Sequence, residues 1–164
     1  MLVLKLMFAY AVSIEDRLST IQRLVSEGDH CIALVVAAAD FERTLRRAIV
    51  GLASEPTADV REKIERKYNT IGKYGQAWTR FVEPVRELSL HEALPEIDDI
   101  KNAFRSRNKL VHGQQGGARI DYLQPRIEII FAGTSKLTSF ALEHGVDLTA
   151  RIRIRQRPRN RKEQ

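Results

Sequence analysis

The sequence predicts an all-α fold, a compact helical bundle of about five helices with a short extended basic C-terminal segment. Three observations predict it. Apolar residues recur at spacings of three and four through most of the chain, the period of a helix with one buried face. Strict alternation of apolar and polar residues appears only near the C-terminus. At 164 residues and 43% hydrophobic content, the chain is long enough to bury one core of its own. Residues 1–146 are therefore read as one helical domain and 147–164 as a basic tail.

The opening run "MLVLKLMFAYAV" is read as the start of a core helix. A signal peptide is the weaker alternative, because its positive charge belongs ahead of the apolar run and Lys5 lies inside it. The run is too short to span a bilayer as a helix. In "SIEDRLSTIQRLVSEG", Ser13 is placed as an N-cap with Asp16 three residues on, Ile14, Leu18, Ile21 and Val25 form a stripe, and Gly28 stops the run.

The segment "DHCIALVVAAADFERTLRRAIVGL" is the clearest helix. Leu34, Ala38, Phe41, Leu45, Ala48 and Leu52 line one face, and its small residues let a neighbouring helix approach closely. Cys31 falls in this apolar run and is expected to be a buried thiol. As the one cysteine it allows no intrachain disulfide, which fits a reducing, cytoplasmic setting.

A third helical run from Asp59 to Ile71 carries Val60, Ile64, Tyr68 and Ile71, and "GKYG" is expected to break it. "QAWTRFVEPVREL" follows, with Pro84 marking a kink or a new start. Tyr74, Trp78 and Phe81 recur at helical spacing and are assigned to core or dimer packing. In "LHEALPEIDDIKNAFRSRNKLVHG", Pro95 and the acids after it mark a helix N-terminus, and Ile97, Ile100, Phe104 and Val111 give a buried stripe. "DYLQPRIEIIFAGTSKLTSFALEHG" is the last helix, with Ile127, Ile130, Phe131, Leu137 and Ala141 inward. "VDLTARIRIRQR" alternates, as a short strand or extended tail does.

The sequence pI is about 9.7, but the charge is unevenly placed. Residues 151–164 carry seven Lys or Arg and one Glu, so the tail holds the whole net charge of +6 and the rest of the chain sums to zero. Arg151, Arg153 and Arg155 are candidate contacts to RNA phosphates, with a solubilising tail as the equal alternative. The tail has no aromatic residue on which a base could stack. His30, His91 and His144 lack partners at metal-ligand spacing, so capping or surface roles are expected and no metal or cofactor. "GQQGG" lacks the Lys-Ser/Thr and the preceding strand of a phosphate-binding loop.

The stretch "RSRNKLVHG" at 105–113 concentrates potential chemistry. On a regular helix with Ile100 at zero, Arg105 and His112 lie at about 140° and 120°, on the exposed flank. Asn108 lies at about 80°, on the border, and Arg107 at about −20°, toward the core. A buried guanidinium needs a partner, and Glu42 on the second helix is the expected one, with Asp40 pointing away. The plainer account is a polar helix end, because His, Arg and Lys all favour the negative end of the helix dipole.

Arg107-Asn108-Lys109-Leu110-Val111-His112 resembles the signature of the HEPN superfamily, an Arg followed by a polar residue and then, a few residues on, a His. The helical layout over residues 13–143 and the acidic "AAADFE" segment are similar as well. The resemblance implies a metal-independent endoribonuclease whose homodimer brings two motifs into one cleft. It makes His112 the general acid/base for attack of the RNA 2′-OH on the scissile phosphate. Arg107 would stabilise the phosphorane charge, Asn108 would position the site and Lys109 would contact RNA. The products would carry 2′,3′-cyclic phosphate and 5′-OH ends, in a toxin, defence or RNA-processing role. Histidine chemistry near neutrality and guanidinium–phosphate pairing are consistent with that assignment.

The chain departs from the pattern in two places. Arg105 also stands at a compatible spacing from His112, so either arginine can fill the role. Gln114 stands where some HEPN toxins carry the Tyr used by a nucleotidyltransferase antitoxin, which argues against that mode of regulation, while another antitoxin or protein partner stays open. The alternatives are a catalytically inactive HEPN-like module that binds RNA or protein, and a plain helical adaptor.

Overall fold

The computed structural model describes residues 14–54, 57–114 and 119–150. Residues 1–13, and with them Ser13 and the opening apolar run, lie outside that description, as do Arg151, Arg153 and Arg155. Within it the chain is all-helical and no strand occurs among the described residues. The helices are α1 (Ile14–Ser26), α2 (His30–Leu52), α3 (Thr57–Lys67), α4 (Ile71–Phe81), α5 (Glu83–Arg86), α6 (Leu90–Ala93), α7 (Ile97–Val111) and α8 (Ile120–Glu143). The expected count of about five is corrected to eight here, partly because α5 and α6 are single turns. A four-residue helix carries too little sequence to display a period. Local chemistry builds them instead: Pro84 opens α5, and Ser89 and Glu92 cap α6 reciprocally, each side chain bonded to the other's backbone N–H.

The expected break at "GKYG" is also corrected. Gly72 and Gly75 lie inside α4, and the chain turns earlier, at Tyr68–Thr70. Tyr74, Trp78 and Phe81 then fall on one buried face of α4. All three belong to the core, and the Trp78 indole donates to Leu88 O at 3.0 Å.

α2 is the central helix. Its predicted stripe of Leu34, Ala38, Phe41, Leu45, Ala48 and Leu52 is fully buried. A second stripe, Ala33, Ala37, Asp40 and Thr44, is buried as well, because α1 packs on that side. Asp40 therefore does not point away as expected. Its carboxylate is hydrogen-bonded to Arg17 of α1, with both side chains at 6% exposure or less. Cys31 departs in the other direction: it is exposed, between buried His30 and buried Ala33.

α8 makes the most extensive contact with α2. The approach is close at Gly133, where a Cβ would stand 2.5 Å from Ile100 Cδ1 and 3.3 Å from Phe41 Cε2. Three helices, α2, α7 and α8, thus meet at a position only glycine fits without displacement. Phe131, expected inward, is half-exposed, while Ile127, Ile130, Leu137 and Ala141 are buried as predicted.

These contacts fix the directions of the helices. Gly133 meets Phe41, and Arg47, further along α2, donates to Ala150 O beyond the end of α8 at 2.6 Å, so α2 and α8 run parallel. Arg126 meets Ser106 and Lys136 meets Glu96, so α7 runs antiparallel to α8. The end of α7 and the start of α8 consequently share one pole. Ala150, the last described residue, lies toward the opposite pole. The described part of the alternating segment is a bend: Asp147 Oδ1 accepts from the N–H groups of Thr149 and Ala150, with Leu148 buried.

Candidate active site

The candidate site is built on the last two turns of α7. Ile97, Ile100, Ala103 and Phe104 anchor its first part against the core, with Phe104 edge-on to Phe41 at 6.1 Å between centroids. Further along, the buried side rotates toward α8 and carries Ser106 and, partly, Leu110. Val111, expected in the buried stripe, is 55% exposed.

The helix ends in a Schellman motif. Gln114 N–H donates to Lys109 O and Gly113 N–H to Leu110 O, with Gly113 at φ 65°. A Cβ is disfavoured at that φ, so the glycine fixes where α7 stops and makes His112 its C-cap residue. The pattern recurs in α8, where His144 is the C-cap, Gly145 has φ 78°, and Gly145 and Val146 N–H groups donate back to Leu142 O and Ala141 O. His-Gly is therefore a helix stop twice over, and the stop alone carries no chemistry.

The two histidine rings differ. His144 Nδ1 donates to Phe140 O at 2.8 Å and its ring lies tilted against Phe140, 4.2 Å between centroids. His112 is exposed, and its ring makes no hydrogen bond among the described residues. Both close a helix, but the His144 ring is tied to its own helix while His112 is exposed.

The arginines differ as well. Arg105 is exposed and donates to Asn102 Oδ1 at 2.8 Å, one turn back and away from His112. There it stands within the field of Asp98. Hydrogen bonding from Lys101 holds the Asp98 carboxyl below its usual range, and the charges of Lys101, His91 and Arg105 add to the effect. Arg107 is half-buried and donates to Asn108 Oδ1 at 2.9 Å. Its Nε is covered and bonds to no described residue. Asn108 lies one turn before His112, whose N–H it accepts at 3.0 Å, so the two side chains are neighbours on one flank. Lys109 is exposed beside them.

Glu42 does not pair with Arg107. Its Oε1 accepts from the Tyr74 hydroxyl at 2.9 Å. Tyr74 is fully buried and its hydroxyl needs a partner, so Glu42 ties α4 to α2. Burial, together with the Glu42 charge and hydrogen bond, pushes the Tyr74 hydroxyl well above its ordinary range. The remaining histidines are structural or peripheral. His30 is buried at the start of α2, with Nδ1 donating to Gly28 O, and His91 lies exposed 3.9 Å from Asp98. Among the described residues no group of three His, Cys, Asp or Glu side chains is placed to hold a metal ion. No described helix is long and apolar enough to cross a membrane.

Two features were not anticipated. Ser106, immediately before the motif, is buried and faces α8, where it meets Tyr122 and Arg126. The segment is also strongly cationic: residues 105–126 hold Arg105, Arg107, Lys109, Arg119 and Arg126 against Asp121 alone, a net of +4. Counting charge by segment finds that patch in the sequence, whereas a neutral sum over the whole body hides it. Compared with protein-family models, with curated proteins and with solved structures, the chain matches none.

Proposed function

We propose that the chain is a metal-independent endoribonuclease of the HEPN type, acting as a cytoplasmic homodimer in a toxin, defence or RNA-processing role. One observation carries this reading. In the cationic segment 105–126, Arg107 and Asn108 are bonded to each other, and the exposed His112 lies one turn beyond them. In this mechanism one His112 takes the proton of a 2′-OH as that oxygen bonds to phosphorus. The P–O5′ bond breaks, and His112 of a second copy gives a proton to the departing 5′-oxygen. Arg107 offsets the charge of the phosphorane, and Asn108 holds its guanidinium in place. Lys109, Arg151, Arg153 and Arg155 contribute phosphate contacts.

Pairing of two copies also supplies a second histidine to a chain whose motif has one. Val111 and Ile120, 55% and 57% exposed, bracket the connection after His112 and offer apolar surface for it. The test is RNA cleavage in EDTA. Wild type is expected to cleave and His112→Ala to lose at least about a hundredfold in rate. Wild-type inactivity on several RNAs contradicts the reading.

A second reading, a catalytically silent module that binds RNA or a protein partner such as an antitoxin, is favoured by one observation. No described carboxylate or carbonyl orients the His112 ring. It predicts RNA retention that His112→Ala leaves intact and no cleavage by either protein.

A further inference from the structure

Arg126, on the second turn of α8, is held in place by neutral groups. Its Nε donates to Ser106 Oγ at 2.9 Å and its Nη1 to Tyr122 O at 2.7 Å. Its guanidinium lies over the Tyr122 ring at 3.5 Å from the centroid. The Ser106 hydroxyl donates to Asn102 O at 3.3 Å, so its lone pairs serve Arg126 and the Tyr122 hydroxyl, which is 3.0 Å away. Carboxylates meet Arg17, Arg23, Arg61, Arg66 and Arg119 in this chain. Among the described residues none meets Arg126, whose Nη2 makes no hydrogen bond there, and none meets Arg107. Stacking and neutral acceptors fix a guanidinium without cancelling its charge, which suits it to bind an anion.

The position narrows the ligand. Arg126 is bonded to the residue between Arg105 and Arg107, and its bond to Tyr122 turns the guanidinium toward the pole where α7 ends. We propose that Arg126 is a positioning residue that binds a backbone phosphate of single-stranded RNA next to the phosphate addressed by Arg107 and His112. The inference rests on the ribonuclease reading and adds a second phosphate subsite, contributed by α8, to a motif that lies on α7 and its C-cap.

The experiment measures binding of a single-stranded oligonucleotide with 2′-O-methyl riboses, which lacks the attacking hydroxyl, across a salt titration. Cleavage of the unmodified RNA is followed in parallel. Arg126→Gln is expected to weaken binding about tenfold and to lower the slope of log affinity against log salt by about 0.7, the contribution of one phosphate contact on a single strand. Arg126→Lys is expected to keep the wild-type slope and lose about threefold in affinity, because the charge remains and the planar fork does not. Thermal unfolding of both variants checks the fold, and Arg126→Lys carries the test where Arg126→Gln does not fold. Wild-type affinity and slope in Arg126→Gln, or wild-type affinity in Arg126→Lys, overturns the inference while cleavage leaves the ribonuclease reading standing. A wild-type protein that neither binds nor cleaves overturns both.

Discussion

Arg105 and Arg107 are two positions apart and are held by different asparagines, with different consequences. Asn102 draws Arg105 back along α7 toward Asp98, whereas Asn108 holds Arg107 on the His112 side. Under the ribonuclease reading, Arg107→Ala is expected to cost about a hundredfold in cleavage rate and Arg105→Ala less than about threefold. Rates for the two single variants on one RNA decide between them, and equal losses contradict the assignment. The sequence left this choice open because helical angles place a Cα and say nothing of which asparagine a long side chain reaches. Val111 misled for a related reason. Its angle lies on the core side, but in the last turn of α7 that side has turned toward solvent and it stands 55% exposed.

At the scale of elements, polar contacts tie α2 to its neighbours. Arg17→Met strips the partner from a carboxylate whose side chain is 2% exposed and whose Oδ2 already lacks one. It is expected to cost about 3–5 kcal/mol in urea unfolding. Tyr74→Phe removes the donor to Glu42 and is expected to cost about 1 kcal/mol at pH 7. The folded state disfavours ionisation of Tyr74, so its contribution is complete at neutral pH and is lost as the pH rises above the ordinary tyrosine range near 10. The stability of Tyr74→Phe should therefore fall less steeply than wild type over that alkaline range. Gly133→Val fills the close approach of α2, α7 and α8 and should destabilise by about 1–3 kcal/mol. Long stripes such as Leu34 to Leu52 were legible because 23 residues repeat one period. The partners of Asp40 and Glu42 were not, because a single period reports one buried face and α2 has helices on several.

Across the whole molecule, chain direction sets the motif and the last described residues at two different poles. Parallel α2 and α8 with antiparallel α7 put His112 at one pole and Ala150 toward the other, separated by most of the roughly 36 Å length of α8. A neutral sum over residues 1–150 concealed a +4 segment around the motif, offset by acidic excess elsewhere. Deletion of 151–164 is thus expected to lower the salt dependence of binding to a long RNA while leaving cleavage of a short one within about twofold. The helical class and the motif were readable from spacing and residue type. Their placement at one pole needed the tertiary contacts.

The central claim, cleavage through the 2′-OH, is tested most directly by end-group analysis of RNA incubated with wild-type protein in EDTA. Fragments with 2′,3′-cyclic phosphate and 5′-OH ends, absent when the riboses are 2′-O-methylated, are the predicted result. Intact RNA, or fragments bearing 5′-phosphate, contradicts it.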